Sequence, residues 1–491
     1  MNKPRAIVIG AGVAGLAASI RLACKGYAVE VFEANEGPGG KLRELKLGAY
    51  RFDAGPSLFT LPEQVDELFM LAGKDPRAYF NYHRKDTVCR YHFADGTVFH
   101  APADQESYAE EASKTFWVSA DTVRTYLSKS KRKYELTKGV FLERSLHRLS
   151  TYTRLGTFLS MLQLGRLDLF RSLHEVNRNA LTDPRLVQLF DRYATYNGSD
   201  PYRTPGVMSL IPHLEQGRGT YFPEGGMFAI TRALHSLAEE LGLVFRFDSR
   251  VDEIVMNGKK VAGVRHGEEI IPATTVVCNM DIVPAYRSLL PGLKPPSGLE
   301  QQERSTSGII FYWGIRKQFP RLALHNIFFS ADYRKEFDQM FRLHEMPDDP
   351  TVYINISAKE ERGDAPEGCE NWFVMVNAPA DRGQAWDDLI AQTRIRVLQI
   401  LQRHLGTDIE PFIEEEDILD PRTIASRTSS FRGALYGTAS NTLFSAFLRH
   451  PNFRRGVQGL YFCGGSVHPG GGIPLCLLSA RIATDDLPVW S

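Results

Sequence analysis

The apolar positions near the start of the chain come in short unbroken blocks. Ala6-Ile7-Val8-Ile9 and Ala28-Val29-Glu30-Val31-Phe32 read as strands buried on both faces, as in a parallel sheet. The stretch 16–23 between them has helix-forming composition. Further blocks at 243–247, 275–279 and 459–462 predict more buried strands, and 227–240 and 475–483 predict helices. The runs 250–255 and 261–265 flank Asn257-Gly258 and predict a hairpin. Three longer runs, 308–314, 351–356 and 372–377, predict an antiparallel sheet with one face on a cavity. Residues 153–173 mix Leu and Phe with Arg154, Arg166 and Arg171. Their apolar positions cover more than one helical stripe, which favours a core helix. A basic apolar helix lying in a bilayer interface is the other reading.

What joins the first two strands carries chemistry. Gly10-Ala11-Gly12-Val13-Ala14-Gly15 is a glycine turn from strand to helix. Its glycines allow a tight turn, close approach of a pyrophosphate and close helix packing. The helix start then faces the phosphates. Glu33 ends the second strand, where a carboxylate accepts hydrogen bonds from an adenosine ribose. These features suit NAD and FAD alike. Gly37-Pro38-Gly39-Gly40-Lys41 with Arg43 follows at once, then Tyr50-Arg51-Phe52-Asp53-Ala54-Gly55-Pro56-Ser57. Lys41 and Arg43 can meet phosphate charge. Near the other end, Phe462-Cys463-Gly464-Gly465-Ser466 and His468-Pro469-Gly470-Gly471-Gly472-Ile473-Pro474 place a second glycine-rich loop at a helix start. A flavin is long enough to need both loops.

Bulk properties narrow the rest. A chain of 491 residues predicts two or three domains. Equal numbers of basic and acidic residues, 58 each, leave no electrostatic footprint for nucleic acid. Six cysteines without C-x-x-C spacing give no metal or disulfide framework and suit a reducing compartment. The first strand begins too early for a cleavable signal, and no apolar run is long enough to predict a membrane span.

Together the glycine turn, Glu33, GPGGK, FDAGPS and FCGGSVHPGGGIP resemble the bacterial carotenoid desaturases, within the wider FAD-dependent amine oxidase and desaturase superfamily. Gly433-Ala434-Leu435-Tyr436-Gly437 and Tyr221-Phe222-Pro223-Glu224-Gly225-Gly226-Met227 match its internal pattern. The resemblance implies an α/β fold with a discontinuous Rossmann-type FAD-binding domain (1–80, 221–300 and 426–491). It also implies an α+β substrate domain, with a sheet region at 301–425 and a helical region at 81–220 that is a candidate for membrane association. FAD would be held by Gly10, Gly12, Ala14, Gly15, Glu33, Gly40, Lys41, Arg43, Gly55, Ser57, Leu58, Val251, Asn279, Gly465, Gly472, Ile473 and Pro474.

The implied reaction inserts carbon–carbon double bonds into a polyene by hydride transfer to flavin, with oxygen or a membrane quinone as electron acceptor. The FDAGPSLFTLP segment looks closer to the 3,4-desaturases of 1-hydroxylated carotenoids than to phytoene desaturases. A polyene cation is stabilised, so a strong base is not obligatory, and no acid–base pair stands out. His468 is the best candidate histidine, with a loop-fixing role favoured over proton transfer. Asp53 reads as support for its turn. Tyr193, Tyr196 and Asn197 read as tunnel lining or as core. A substrate hydroxyl would want a polar partner that no motif names. The implied location is cytoplasmic, at the membrane surface. Rival readings are a carotenoid isomerase or retinol saturase, and an amine or porphyrinogen oxidase with a cage from Trp313, Trp372 or Tyr436. A flavin-less GDI-like lipid escort is another, opposed by the intact double glycines with Glu33 and Lys41.

Overall fold

A computed structural model describes residues 3–153, 163, 165 and 167–490. The unbroken apolar blocks form one five-stranded parallel sheet in the order Leu460–Phe462, Thr275–Cys278, Arg5–Ile9, Ala28–Phe32, Val244–Arg246. Both faces are covered, which is why these strands carry no polar alternation. Ala6 and Val8 pack under the helices Val13–Cys24, Phe228–Glu240 and Ile473–Thr484. Ile7 and Ile9 pack under a three-stranded antiparallel layer, Glu253–Asn257, Lys260–His266 and Glu269–Pro272. In that layer Asn257 pairs with Lys260, so the turn is Gly258-Lys259 rather than Asn257-Gly258. A register shift between Val255 and Met256 moves it by a residue.

The second sheet has seven strands in the order Ile413–Leu419, Ser307–Ile315, Glu370–Ala378, Val352–Asn355, His325–Phe328, Thr87–His92, Val98–Pro102. The three longer apolar runs are among its central strands. Its last two strands come from the segment expected to be helical. Thr87-Val88-Cys89-Arg90-Tyr91-His92 is rich in β-branched and aromatic residues, and it pairs parallel to His325–Phe328. One face, with Phe311, Trp313, Trp372 and Val374, lies in a core shared with the helix Trp386–Leu405. The other face, with Ile310, Tyr312 and Phe373, packs on the hairpin Glu44–Leu47 and Tyr50–Asp53.

A helical layer, including Gln105–Phe116, Ala120–Thr137, Leu173–Ala180 and Pro184–Asp191, shares one core with the Thr87–Pro102 hairpin. Of the helix expected over 153–173, residues 154–162, 164 and 166 lie outside the described residues. Residues 167–172 are not helical, and a new helix begins at Leu173 on a Ser172–Glu175 capping box. Among the described residues no helix is long and apolar enough to cross a membrane.

Candidate functional site

The strand order reverses beside Arg5–Ile9, and open α/β sheets bind ligands at the carboxyl ends of strands at such a switch point. Four of the expected features meet there. The N–H of Gly10 donates to Phe32 O (2.7 Å), that of Asn279 to Ile9 O (2.8 Å), and that of Cys463 to Cys278 O (3.0 Å). The Asn279 side chain sits among the glycines. A Cβ on Gly12 would lie 2.9 Å from its Nδ2, and one on Gly464 would lie 2.6 Å from its Oδ1. A Cβ on Gly15 would lie 1.9 Å from Gly10 O, so the first turn closes only on glycine.

Two helices start at this floor, and neither carries a side-chain cap. Val13–Cys24 begins at Gly12 with no acidic residue in its first turn, and Ile473–Thr484 begins at Gly472. Elsewhere in the chain Asp104, Ser119, Ser172, Asp183 and Asp420 cap their helices. An uncapped first turn leaves N–H groups and the positive end of the helix dipole for an anion. Ala14 and Gly15 lie in the first of these turns, and Ile473 and Pro474 in the second. Glu33 is buried and fixed. It accepts from the N–H of Ala11 (2.7 Å), the N–H of Asn35 (2.9 Å) and Asn35 Nδ2 (2.6 Å).

The second glycine segment lies on the first. Gly39 N–H donates to Ala11 O (2.9 Å), and a Cβ on Gly40 would stand 3.4 Å from Gly12 Cα. A Cβ on Gly55 would stand 1.8 Å from Lys41 O, so the FDAGPS turn is stacked on that segment in turn. Asp53 anchors it. Its carboxylate accepts from the N–H groups of Met227 (2.7 Å) and Phe228 (2.9 Å) and pairs with Arg51 (2.7 Å). It thus caps the helix Phe228–Glu240 from another segment, a structural role. Lys41 Nζ donates to Leu435 O (2.8 Å), and burial lowers its pKa against the opposing charge of Asp281. The ammonium therefore tethers the GALYG segment. Arg43 is half-buried, its pKa lowered by burial and by Arg427. Val251 is buried in the core beneath the antiparallel layer. Ser57 Oγ lies 2.6 Å from Tyr353 OH, and Leu58 is half-buried beside it.

Lys41, Tyr196, Tyr353, Tyr436 and Cys476 are enclosed by protein, yet each keeps surface that water could touch. Tyr193 donates to the buried Glu215 carboxylate (2.8 Å), and Tyr196 donates to it as well. Arg192 lies beside Glu215 and donates to Tyr91 OH (2.8 Å). Asn197 is half-buried at the end of this turn. Trp313 and Trp372 lie on the far face of the sheet, their indoles donating to Glu416 (2.7 Å) and Glu370 (2.8 Å). They supply no aromatic cage; strand parity turns them away.

His468 Nε2 lies 2.6 Å from Arg144 O, and its own carbonyl accepts from Asn452 Nδ2 (2.8 Å) and Ser479 Oγ (2.8 Å). Burial pushes its pKa down to about 4, so the ring is neutral at pH 7 and fixes the loop. Two residues that no motif announced hold this loop. Arg449 donates to Tyr436 O (2.6 Å), Gly465 O (3.2 Å) and Ser440 Oγ (3.2 Å). Asn452 bridges His468 O and Ser479 Oγ (3.0 Å).

Burial lowers His92, His450 and His468 to about 4 and His325 to about 3. These folded values lie below the ordinary 6.5, so the unfolded chain binds more protons between pH 4 and 6.5. Stability from these groups is present above that window and is lost on acidification through it. Asp200 and Glu336, raised by burial to about 6 and about 7, act oppositely, as do Asp66, Asp191 and Asp364, but burial also lowers His100, His147, His213, His235, His344 and His404, which act with the first four. The urea midpoint is expected to fall between pH 6.5 and 4.5. A midpoint that held or rose would contradict buried neutral histidines.

The family described as flavin containing amine oxidoreductase matches residues 13–488. A protein of Flavobacterium sp. (strain P99-3) named 1-hydroxycarotenoid 3,4-desaturase is 51% identical over 484 residues, covering 99% of either chain. A Methylomonas sp. protein named 4,4'-diapolycopene oxygenase is 33% identical, covering 99% of this chain and 98% of its own. Among solved structures, an oxidoreductase from Methanosarcina mazei shares the fold with a TM-score of 0.64 at 16% identity, over 98% of this chain and 100% of that one.

Proposed function

Because the chain belongs to the flavin-containing amine oxidoreductase family, and is thus an FAD-dependent oxidoreductase, we propose that it forms the 3,4 double bond of a 1-hydroxycarotenoid. The observation that carries the reading is that both glycine segments and two uncapped helix starts converge at the carboxyl edge of the parallel sheet; the half-buried Lys41, Tyr196, Tyr353, Tyr436 and Cys476 are assigned to the wall of an internal space beside them, where a long apolar chain would lie against a flavin. The relative at 51% identity supports the substrate.

The uncapped turn Gly12–Gly15 takes the pyrophosphate, with Gly10 shaping the turn and Asn279 closing it. Glu33 takes the ribose, and the Val251 backbone lies at the adenine. Gly40, Lys41, Arg43, Gly55, Ser57 and Leu58 would hold the flavin together with the last glycine loop. In that loop the contacts would come from Gly465, Gly472, Ile473 and Pro474. The segments 1–80, 221–300 and 426–491 form the cofactor half, while 81–220 and 301–425 enclose the substrate. FAD, when bound, would supply the hydride acceptor, with oxygen or a membrane quinone as the final electron acceptor. The protein positions the C–H bond and keeps the space dry. A proton leaves the neighbouring carbon, and no side chain in the site is needed as a strong base.

The substrate's home is the bilayer, and we place the protein at the cytoplasmic membrane surface. Phe170, Trp117 and Phe444, exposed by 93%, 89% and 76%, are candidate contacts.

The test uses FAD-loaded protein in liposomes with a 1-hydroxycarotenoid or phytoene. The expected product of the first is two hydrogens lighter and absorbs further to the red, and the protein floats with the vesicles. Reaction of phytoene alone would make it a phytoene desaturase. A product of unchanged mass would make it an isomerase. Protein left at the bottom of the gradient would sink the membrane placement.

A further inference from the structure

The bond to be oxidised joins C3 and C4, and the hydroxyl sits on C1. Only two carbon–carbon bonds separate the hydroxyl-bearing carbon from the first reacting one. Whatever holds the hydroxyl must therefore stand at the reacting end of the internal space.

A hydrogen-bonded chain meets the requirement. The FDAGPS turn is stacked on the second glycine segment at Gly55 and Lys41. Two residues on, Ser57 Oγ lies 2.6 Å from Tyr353 OH, which lies 2.8 Å from His325 Nδ1. Tyr353 is half-buried, one of the residues assigned above to the wall of the internal space. His325 stands opposite Asn355 in the sheet, and Asn355 Nδ2 approaches the same Nδ1 at 3.3 Å.

The protons in this chain can be assigned. An amide nitrogen only donates, so His325 Nδ1 accepts and the ring proton of the neutral imidazole is on Nε2. Tyr353 then donates to His325, and Ser57 donates to Tyr353. Each hydrogen bond polarises the next in the same sense. The chain ends at Nε2–H of His325, which is buried and has no hydrogen-bond partner among the described residues. A buried donor without an acceptor is costly, and such groups mark places where something else completes the site.

We propose that His325, held by Tyr353 and Asn355, donates its Nε2–H to the 1-hydroxyl oxygen of the substrate and so sets which carbon of the polyene faces the reacting position. The inference rests on the desaturase reading above. It makes His325 a specificity residue, with Tyr353 and Asn355 as positioning residues behind it.

The test compares His325→Phe, His325→Gln and Tyr353→Phe with the wild type as FAD-loaded protein in liposomes. Each is offered a 1-hydroxycarotenoid and the same polyene without the hydroxyl. Flavin content and thermal unfolding report integrity, and the polyene absorbance shift reports substrate binding directly. His325→Phe is expected to lose about 10- to 100-fold in kcat/KM on the hydroxylated substrate, the range of one buried hydrogen bond. It should change less than about twofold on the other. Binding of the hydroxylated substrate should weaken in parallel. His325→Gln, which keeps a donor, should recover part of the preference, and Tyr353→Phe should lose part of it. Equal losses on both substrates would reduce His325 to a structural residue. An unchanged preference, as expected if a water satisfies Nε2, would also overturn the proposal. A wild type with no preference for the hydroxylated polyene would instead overturn the desaturase reading itself.

Discussion

Gly12→Val is expected to yield a folded protein that leaves purification essentially without flavin. Gly12 has an ordinary φ of −68°, so a side chain there strains no backbone. Its Cβ would stand 2.9 Å from Asn279 Nδ2, and the branched methyls would occupy the approach to the uncapped first turn of Val13–Cys24. Overpacking of this kind costs about 1–3 kcal/mol, which a chain of this size can bear. The phosphate site, in contrast, is filled outright. Flavin absorbance per protein should fall at least about tenfold while the far-UV spectrum is kept, because anion binding there depends on open amides. Gly15→Val is the control, since its Cβ would meet Gly10 O at 1.9 Å and the damage should reach the fold. Retention of flavin by Gly12→Val would move the pyrophosphate elsewhere.

Arg449→Met should be the most damaging substitution outside the glycine turns. The guanidinium is buried, and burial lowers its pKa only to about 10, so it is charged at pH 7. It ties Tyr436 O in the GALYG segment to Gly465 O in the last glycine loop. Removing it leaves two carbonyls without their donor, at about 1–3 kcal/mol each, so a loss near 3 kcal/mol or more is expected in chemical unfolding. Lys41 reaches the same segment at Leu435 O, so the loss should also loosen the wall of the internal space. Flavin should then dissociate more readily, and excess FAD should restore part of the thermal stability by mass action. A variant as stable as wild type with full flavin would show that the two loops are held by other contacts.

The parallel sheet was legible because both faces are buried, which writes each strand as an unbroken apolar word. The glycine turn, Glu33 and the second glycine loop were legible because their spacing along the chain is local. The hairpin Thr87–Pro102 was not, since its reason for being a strand is a parallel partner at His325–Phe328, far along the chain. The side chains that hold the site were hidden for the same reason. Asp53 caps a helix that begins at Phe228, and Arg449 and Asn452 lie in an irregular segment whose partners are backbone carbonyls. No period marks such residues. The tryptophans show the limit of composition. Trp313 and Trp372 face each other across the ladder and so share a side. Only the register decides that this side is away from the internal space.

The measurement that tests the central claim most directly is anaerobic mixing of the FAD-loaded protein with a 1-hydroxycarotenoid in liposomes, followed at the flavin band and the polyene bands together. The account predicts bleaching of the flavin in step with a red shift of the polyene, one equivalent of product per flavin, and recovery of the flavin band on admitting oxygen or a quinone. A polyene that shifts while the flavin stays oxidised, or a flavin that stays yellow with the polyene unchanged, would contradict it.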